Sequence, residues 1–372
     1  MCDNKRINSS KFLKELVKCS EKAANIARLV KSEKYLFQLL IEKKTGDSAN
    51  SRFVEDYKTL ADVLIQESIR YDLSKEFPGF ENRIFGEEKN IFTNKLNESI
   101  EVNILEDEED MTNLLSRILN GDEKAAKMLS KCVLEQVDDT IVEKVNIDIE
   151  GYVDLSTTAI WIDPIDATEQ YINGQIGVRH ALDNGIEERG LPCCVVLIGA
   201  YDMKTGCPVA GVCNQPFYHM DNERCSSRIR TGYAANTRKQ HEEIETEKKD
   251  AMTIVMSSSE KSDVIEKLKG FKIYYAPGAG YKSVCVLDDL ADIYVLTKGT
   301  TYLWDICGPH AIILSMGGGI VEYDLAIENY KKMDLDLLQV KYHDSKDNAR
   351  NKHGIIVYKD TQKLKLFLDR LT

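Results

Sequence analysis

Thr158-Ala159-Ile160-Trp161-Ile162-Asp163-Pro164-Ile165-Asp166-Ala167-Thr168 is the stretch that organises the chain. Its first five residues are apolar or β-branched and predict a strand. Two carboxylates, three residues apart, follow at once. Pro164 fixes φ and removes a donor, so the chain turns there. Such a turn can bring the carboxylates of Asp163 and Asp166 and the carbonyl of Ile165 to face one point. That point is hard, oxygen-lined and negative, which suits Mg²⁺. Thr168 adds a hydroxyl and backbone N–H groups at the start of a short helix, a setting that favours anions such as phosphate. Taken alone, Asp-Pro-x-Asp is also an ordinary turn with a helix cap.

Working outward, Cys193 to Ala200, Val209 to Val212, Met252 to Met256 and Ile293 to Leu296 are further strand candidates. Several are continuously apolar, as strands covered on both faces should be. Helical segments are predicted at about Ser262 to Leu268 and Pro309 to Met316. The alternation argues for a layered α/β or α+β architecture. Before it, Phe12, Leu13, Leu16, Val17, Ala23, Ala24, Ala27 and Val30 recur at helical spacing. They predict a helix capped by Ser9 or Ser10, running to about Ile41 and broken by Thr45-Gly46-Asp47-Ser48. A second amphipathic stretch covers Leu60 to Ile69. Residues 94–150 read as a helical insert, with Met111 to Glu135 helical in pattern. Its acidic run, Glu106 to Asp110, reads as solvated surface, because a calcium loop needs alternating Asp/Asn and a central Gly. Residues 237–250 read as an exposed loop. A boundary is expected in 175–205, where Gly174, Gly177, Gly185, Gly190 and Pro192 cluster. It gives an N-terminal part, 1–185, and a C-terminal part, 186–372, joined in one compact catalytic unit.

Composition narrows the function. The 372 residues are 43% hydrophobic and 30% charged, so the chain can bury a core, and wholesale disorder is excluded. Lys+Arg 49 against Asp+Glu 61 leaves −12 at pH 7. A chain this acidic is a poor candidate for binding duplex nucleic acid, which needs a basic face. The longest apolar run, Cys193 to Ala200, is far short of the roughly 20 residues of a membrane span. The N-terminal residues carry no signal-peptide core. Ten scattered cysteines without an export signal read as reduced thiols in a cytoplasmic protein.

Three more segments bear on the carboxylates. Phe85-Gly86-Glu87-Glu88 is a strand end with paired acids. Lys58-Thr59-Leu60-Ala61-Asp62 puts an Asp near a helix start. Trp304-Asp305-Ile306-Cys307-Gly308-Pro309-His310-Ala311 puts Asp305 just before a helix opened by Pro309 and stopped by Gly317-Gly318-Gly319. Each is bland alone. Together, in this chain order, they resemble the magnesium-dependent, lithium-sensitive phosphatase family that includes inositol monophosphatase and fructose-1,6-bisphosphatase. The resemblance runs from about Lys58 to Gly319.

The resemblance implies a stacked α-β-α-β-α sandwich and two or three Mg²⁺ ions, with Li⁺ as inhibitor. It implies Glu87, Asp163 and the Ile165 carbonyl as ligands of one ion, and Asp163, Asp166 and Asp305 as ligands of a second. Asp62, with Glu87, is implied at a third, and Glu88 beside it. Thr168 with Asp62 is implied to orient and deprotonate the attacking water. The backbone N–H groups of Ala167 and Thr168 can hold phosphate oxygens. Ala167 departs from the family's usual Gly or Ser, and little consequence is expected.

The finer pattern at 161–172, 57–66, 212–217, 277–283 and 304–311 resembles the branch that removes the 1-phosphate from inositol 1,4-bisphosphate and inositol 1,3,4-trisphosphate. Ser257, Ser258 and Ser259 then offer hydroxyls and N–H groups to the substrate, Gly278 allows close backbone approach, and Lys282 meets the phosphate that is not hydrolysed. The alternatives are a family member acting on 3′-phosphoadenosine 5′-phosphate, and an inactive member that only binds ligand. Protein partners are not legible. His310 is assigned no catalytic role, and Cys307 reads as a small packed residue.

Overall fold

A computed structural model describes residues 6–33, 41–43, 57–145, 147–221, 224–235, 252–332 and 334–372. Two five-stranded sheets dominate. The first contains β1 (Ile84–Gly86), β2 (Thr158–Asp166), β3 (Val195–Asp202), β4 (Pro208–Met220) and β5 (Cys225–Tyr233), in the order β5-β4-β3-β2-β1. The second contains β6 (Thr253–Met256), β7 (Lys272–Tyr275), β8 (Ile293–Leu296), β9 (Gly319–Glu322) and β10 (Ile355–Tyr358), in the order β7-β6-β8-β10-β9. Only β1 and β2 run parallel in the first sheet, and β6 runs parallel to β7 and β8 in the second.

The β2 strand explains the layering. All nine of its residues are buried. Ile160 and Ile162 point into one core, while Ala159 and Trp161 point into another. This is the period of two expected of a strand covered on both faces. On the first side lie α1 (Ser9–Ser32) and α2 (Leu60–Glu76), followed by the insert helices α3 (Glu108–Ile118), α4 (Glu123–Leu134) and α5 (Thr140–Val145). After β2 comes the short α6 (Thr168–Asn173). Between the sheets lie α8 (Ala279–Leu287) and α9 (Leu303–Ser315), in the second core. The outer face of the second sheet carries α7 (Ser262–Lys267), α10 (Tyr323–Asn329) and α11 (Thr361–Leu371). The order is therefore α-β-α-β-α, as expected.

Glycines let α9 lie on the first sheet. A Cβ on Gly199 would sit 2.3 Å from the Gly308 nitrogen, and one on Gly211 would sit 2.1 Å from the Gly308 carbonyl oxygen. Backbone thus touches backbone, and the helix bearing Asp305 docks beside β2.

Several expectations change. The first helix ends at Ser32, not near Ile41; Ile41–Lys43 is a short strand paired with Tyr57–Thr59. Its cap is Asn8, whose side chain accepts the Lys11 N–H at 3.1 Å. Pro309 lies inside α9, which starts at Leu303. Asp305 is in the first turn of that helix rather than before it. The predicted helix 111–135 is two helices, separated at Asn120 and Gly121, both at positive φ. The expected division at 185/186 falls within the first sheet, between β2 and β3. The breaker at 45–48 and the loop at 237–250 lie outside the described residues.

Candidate metal and phosphate site

The site forms where the C-terminal ends of β1, β2 and the parallel strands of the second sheet converge. Carboxylate oxygens of Asp163, Asp166 and Asp305 lie within 4.8 Å of one another. Asp163 and Asp166 are buried, and Asp305 is half-buried. The β2–β3 register shifts between Asp163 and Asp166, at Pro164, which turns both carboxylates toward the same place.

Each acid is fixed by its own local structure. Asp305 accepts the Tyr302 N–H at 2.9 Å and caps its own helix. Asp166 accepts the Ala279 N–H at 3.2 Å and the Tyr281 N–H at 3.1 Å, at the start of α8. Asp163 has one oxygen, Oδ1, buried with no hydrogen-bond partner. Asp62 is buried and accepts the Thr59 N–H at 2.6 Å and the Thr59 hydroxyl at 2.8 Å. Glu87 follows β1 and donates its N–H to the Ile162 carbonyl at 3.2 Å, beside Asp163. Glu88 is buried, with its backbone held by Gln66. The Thr168 hydroxyl donates to the Ile165 carbonyl at 3.1 Å.

Electrostatics agree with that crowding. Burial pushes the Asp163 carboxyl well above the usual range, and the charges of Glu87, Asp166, Asp305 and Asp62 add to it. Burial likewise raises Asp305, reinforced by Asp166 and Glu87. Burial raises Asp166 too, although the Lys282 ammonium and the two backbone N–H bonds pull the other way. A buried, oxygen-only donor set with an unpartnered Oδ1 suits a hard divalent cation, not a soft metal that prefers sulfur or imidazole.

The substrate-side candidates separate into two groups. Ser257, Ser258 and Ser259 follow β6, and Gly278 follows β7, both at the C-terminal edge of the second sheet. Ser257 and Ser259 hydroxyls are 3.0 Å apart. Ser258 is exposed. Lys282 is different. It is buried, and its ammonium donates to the carbonyls of Gly278 and Ala276 and lies 5.1 Å from the Tyr294 ring centre. The amine expected to meet a second phosphate is thus turned beneath the glycine loop and supports it. Ala167 has φ 69°. A glycine would take that left-handed backbone freely, whereas Ala carries a conformational cost at this position, so the departure from Gly or Ser is not without consequence.

Sequence reasoning missed Gln66. Its side-chain N–H donates to the Glu88 carbonyl and its oxygen accepts the Glu88 N–H, both at 2.8 Å. The signal was present, since Gln66 lies four residues after Asp62 on the same helix face. Lys346 was missed as well. It donates to the Glu88 carbonyl at 3.2 Å across 258 positions of chain, and no local pattern announces it. His310 is consumed elsewhere. Its Nε2–H donates to Gln339 Oε1 and its Nδ1 accepts the Tyr342 hydroxyl, both at 2.9 Å. Cys307 is fully buried in the core between the sheets.

The profile of the inositol monophosphatase family matches residues 118–359. The chain belongs to the inositol monophosphatase family. Among curated relatives, inositol polyphosphate 1-phosphatase of Mus musculus is 40% identical over 390 residues, covering 97% of each chain. The 3′(2′),5′-bisphosphate nucleotidase 1 of Dictyostelium discoideum is 29% identical over 211 residues, covering 53% of this chain and 58% of its own. Among solved structures, the extragenic suppressor protein suhB of Bartonella henselae superposes with a TM-score of 0.51 at 15% identity, covering 97% of this chain and 98% of that one. The shared inositol monophosphatase fold is the stacked sandwich described above. In this family member the nine described cysteines are all unpaired. Among the described residues, no helix is long and apolar enough to cross a membrane.

Proposed function

We propose that the chain is a Mg²⁺-dependent phosphomonoesterase. It removes the 1-phosphate from inositol 1,4-bisphosphate and inositol 1,3,4-trisphosphate, is inhibited by Li⁺, and works in the cytoplasm. Full-length similarity to inositol polyphosphate 1-phosphatase supports this substrate over a nucleotide bisphosphate, whose phosphatases align with about half of the chain. The observation that carries the chemistry is the Asp163–Asp166–Asp305 cluster, with oxygens within 4.8 Å.

In this reading Asp163, Asp166, Asp305, Glu87 and the Ile165 carbonyl hold two ions, and Asp62, Glu87 and Glu88 border a third. When bound, the ions supply the positive charge that a phosphate dianion needs in an acidic protein, and they lower the pKa of coordinated water. The chain does the positioning. Thr168 and Asp62 would orient the attacking water. The Asp62 carboxylate would take its proton as the water oxygen bonds to phosphorus and the bond from phosphorus to the inositol oxygen breaks, that oxygen leaving as an alcohol with a proton from solvent water. Backbone N–H groups of Ala167 and Thr168 donate to the non-bridging phosphate oxygens. Ser257, Ser258, Ser259 and the Gly278 loop line the inositol side, with Lys282 bracing that loop from beneath. The Asp166 bonds to Ala279 and Tyr281 join residues 1–185 to residues 186–372, which supports their action as one catalytic unit.

The test is Asp163→Asn and Asp305→Asn with circular dichroism as a folding control. Each is expected to fold and to lose turnover. Retention of more than about a tenth of the activity by both would sink the metal-ligand assignment.

A further inference from the structure

The carboxylates of the site repel one another, so something stiff must set their spacing. One row of rings is placed to do it. Phe85 on β1 is the register partner of Trp161 on β2, and their ring centres are 5.2 Å apart. Trp161 packs on Trp304 of α9 at 5.8 Å. Trp304 stacks on Tyr302 at 4.4 Å, with the planes 3° apart. Each step sits beside an acid. Trp161 precedes Asp163 by two residues within β2, so that ring and that carboxylate share a strand face, and Glu87 follows the end of β1 two residues after Phe85. Trp304 is next to Asp305, and the Tyr302 N–H is bonded to that carboxylate at 2.9 Å. The row is anchored further where the Trp161 indole N–H donates to the His343 carbonyl at 3.0 Å. Trp161 is fully buried and Trp304 nearly so.

We infer that Phe85, Trp161, Trp304 and Tyr302 are positioning residues that register Glu87, Asp163 and Asp305, held on three separate elements, at the spacing a divalent cation requires. Aromatic rings suit the task. They have few rotamers, and such pairs attract one another beyond the effect of their buried area. Loss of a group that orients a metal ligand typically weakens cation binding by about 10–100-fold. This inference rests on the reading of those acids as cation ligands.

The two tryptophans are the only ones in the chain, and both lie in this row. Tb³⁺ is a hard cation that accepts excitation from a nearby indole, so its sensitised emission reads binding without turnover. The probe is Tb³⁺ alone, titrated into wild type, Asp163→Asn, Phe85→Leu, Phe85→Tyr and Phe367→Leu. Thermal unfolding is recorded for each. Phe85→Leu keeps both indole donors. It is expected to bind Tb³⁺ about tenfold more weakly, with Phe85→Tyr restoring the midpoint. Phe367, in the outer core of the second sheet, controls for general loosening. Phe367→Leu is expected to unfold at lower temperature with the wild-type Tb³⁺ midpoint.

The outcomes separate the two claims. A wild type without sensitised emission, or an Asp163→Asn that binds as wild type does, overturns the cation reading and the positioning role with it. Loss of binding in Asp163→Asn, together with a wild-type midpoint in Phe85→Leu, overturns the positioning role alone. Equal midpoint shifts in Phe85→Leu and Phe367→Leu would do the same, by reducing the effect to stability.

Discussion

A methyl group placed on Gly278 would lie 2.4 Å from Oδ2 of Asp166. Gly278 also has φ +68°, which an L side chain tolerates poorly. The loop after β7 therefore reaches the carboxylate only as glycine, and the helix that follows then donates two N–H groups to it. Gly278→Ala is expected to push the loop away from Asp166 and cut phosphate release by about a hundredfold. Steady-state kinetics of the variant, with a melting curve beside it, check this. Near-normal turnover would mean that the loop contact is not needed.

Ala167 predicts the opposite sign. Its left-handed backbone costs about 1–2 kcal/mol relative to an unstrained residue, part of which glycine would offset with its own chain entropy. Ala167→Gly is expected to raise stability by about 0.5–1 kcal/mol while keeping activity. Urea unfolding measures it, and a less stable variant would contradict the backbone argument.

The acid cluster should destabilise the protein without cations. Asp163 and Asp305 have raised pKa values in the folded state. The native form then holds protons more tightly than the unfolded chain, so stability falls as pH rises above the ordinary carboxylate value of about 3.9. Asp163→Asn is expected to melt higher than wild type in EDTA at neutral pH. Saturating Mg²⁺ should stabilise wild type by about 2.7 kcal/mol at a hundred times its Kd, and the variant by less. Equal responses to Mg²⁺ would argue that the ion binds elsewhere.

His310 makes a second pH dependence. Burial pushes its pKa from 6.5 down to about 3. The unfolded chain binds a proton near 6.5 that the native ring refuses, so stability is complete above that value and is lost as pH falls toward 3. The loss is about 5 kcal/mol at most. In urea unfolding at a series of pH values, His310→Asn is expected to show a flatter acid limb than wild type. An unchanged slope would assign the acid sensitivity to other groups.

The sequence carried some of this plainly. The β2 strand was legible because the apolar and β-branched run from Thr158 to Ile162 leads straight into a proline turn bearing two acids. Asp62 was legible as an acid near a helix start, and the structure adds what the sequence reading lacked, a reciprocal cap between Thr59 and Asp62. The β5 strand was not legible. Cys225-Ser226-Ser227-Arg228-Ile229-Arg230-Thr231 carries no apolar run, because it lies at a sheet edge where charge is tolerated. Pro309 was misread because proline favours a first turn, whereas α9 begins six residues earlier at a cap set by Tyr302 and Asp305. Lys282 resembled a substrate cation because its carbonyl partners come from a loop conformation that no residue pattern encodes. Gln66 and Lys346 act on the backbone of Glu88, and backbone targets leave little mark on a sequence.

The most direct test of the central claim is phosphate release in Mg²⁺ from three substrates: inositol 1,4-bisphosphate, inositol 1-phosphate and 3′-phosphoadenosine 5′-phosphate, each with and without LiCl. The account predicts strong preference for the bisphosphorylated inositol, no turnover in EDTA, and inhibition by Li⁺. Preference for the nucleotide, or turnover that survives EDTA, would contradict it.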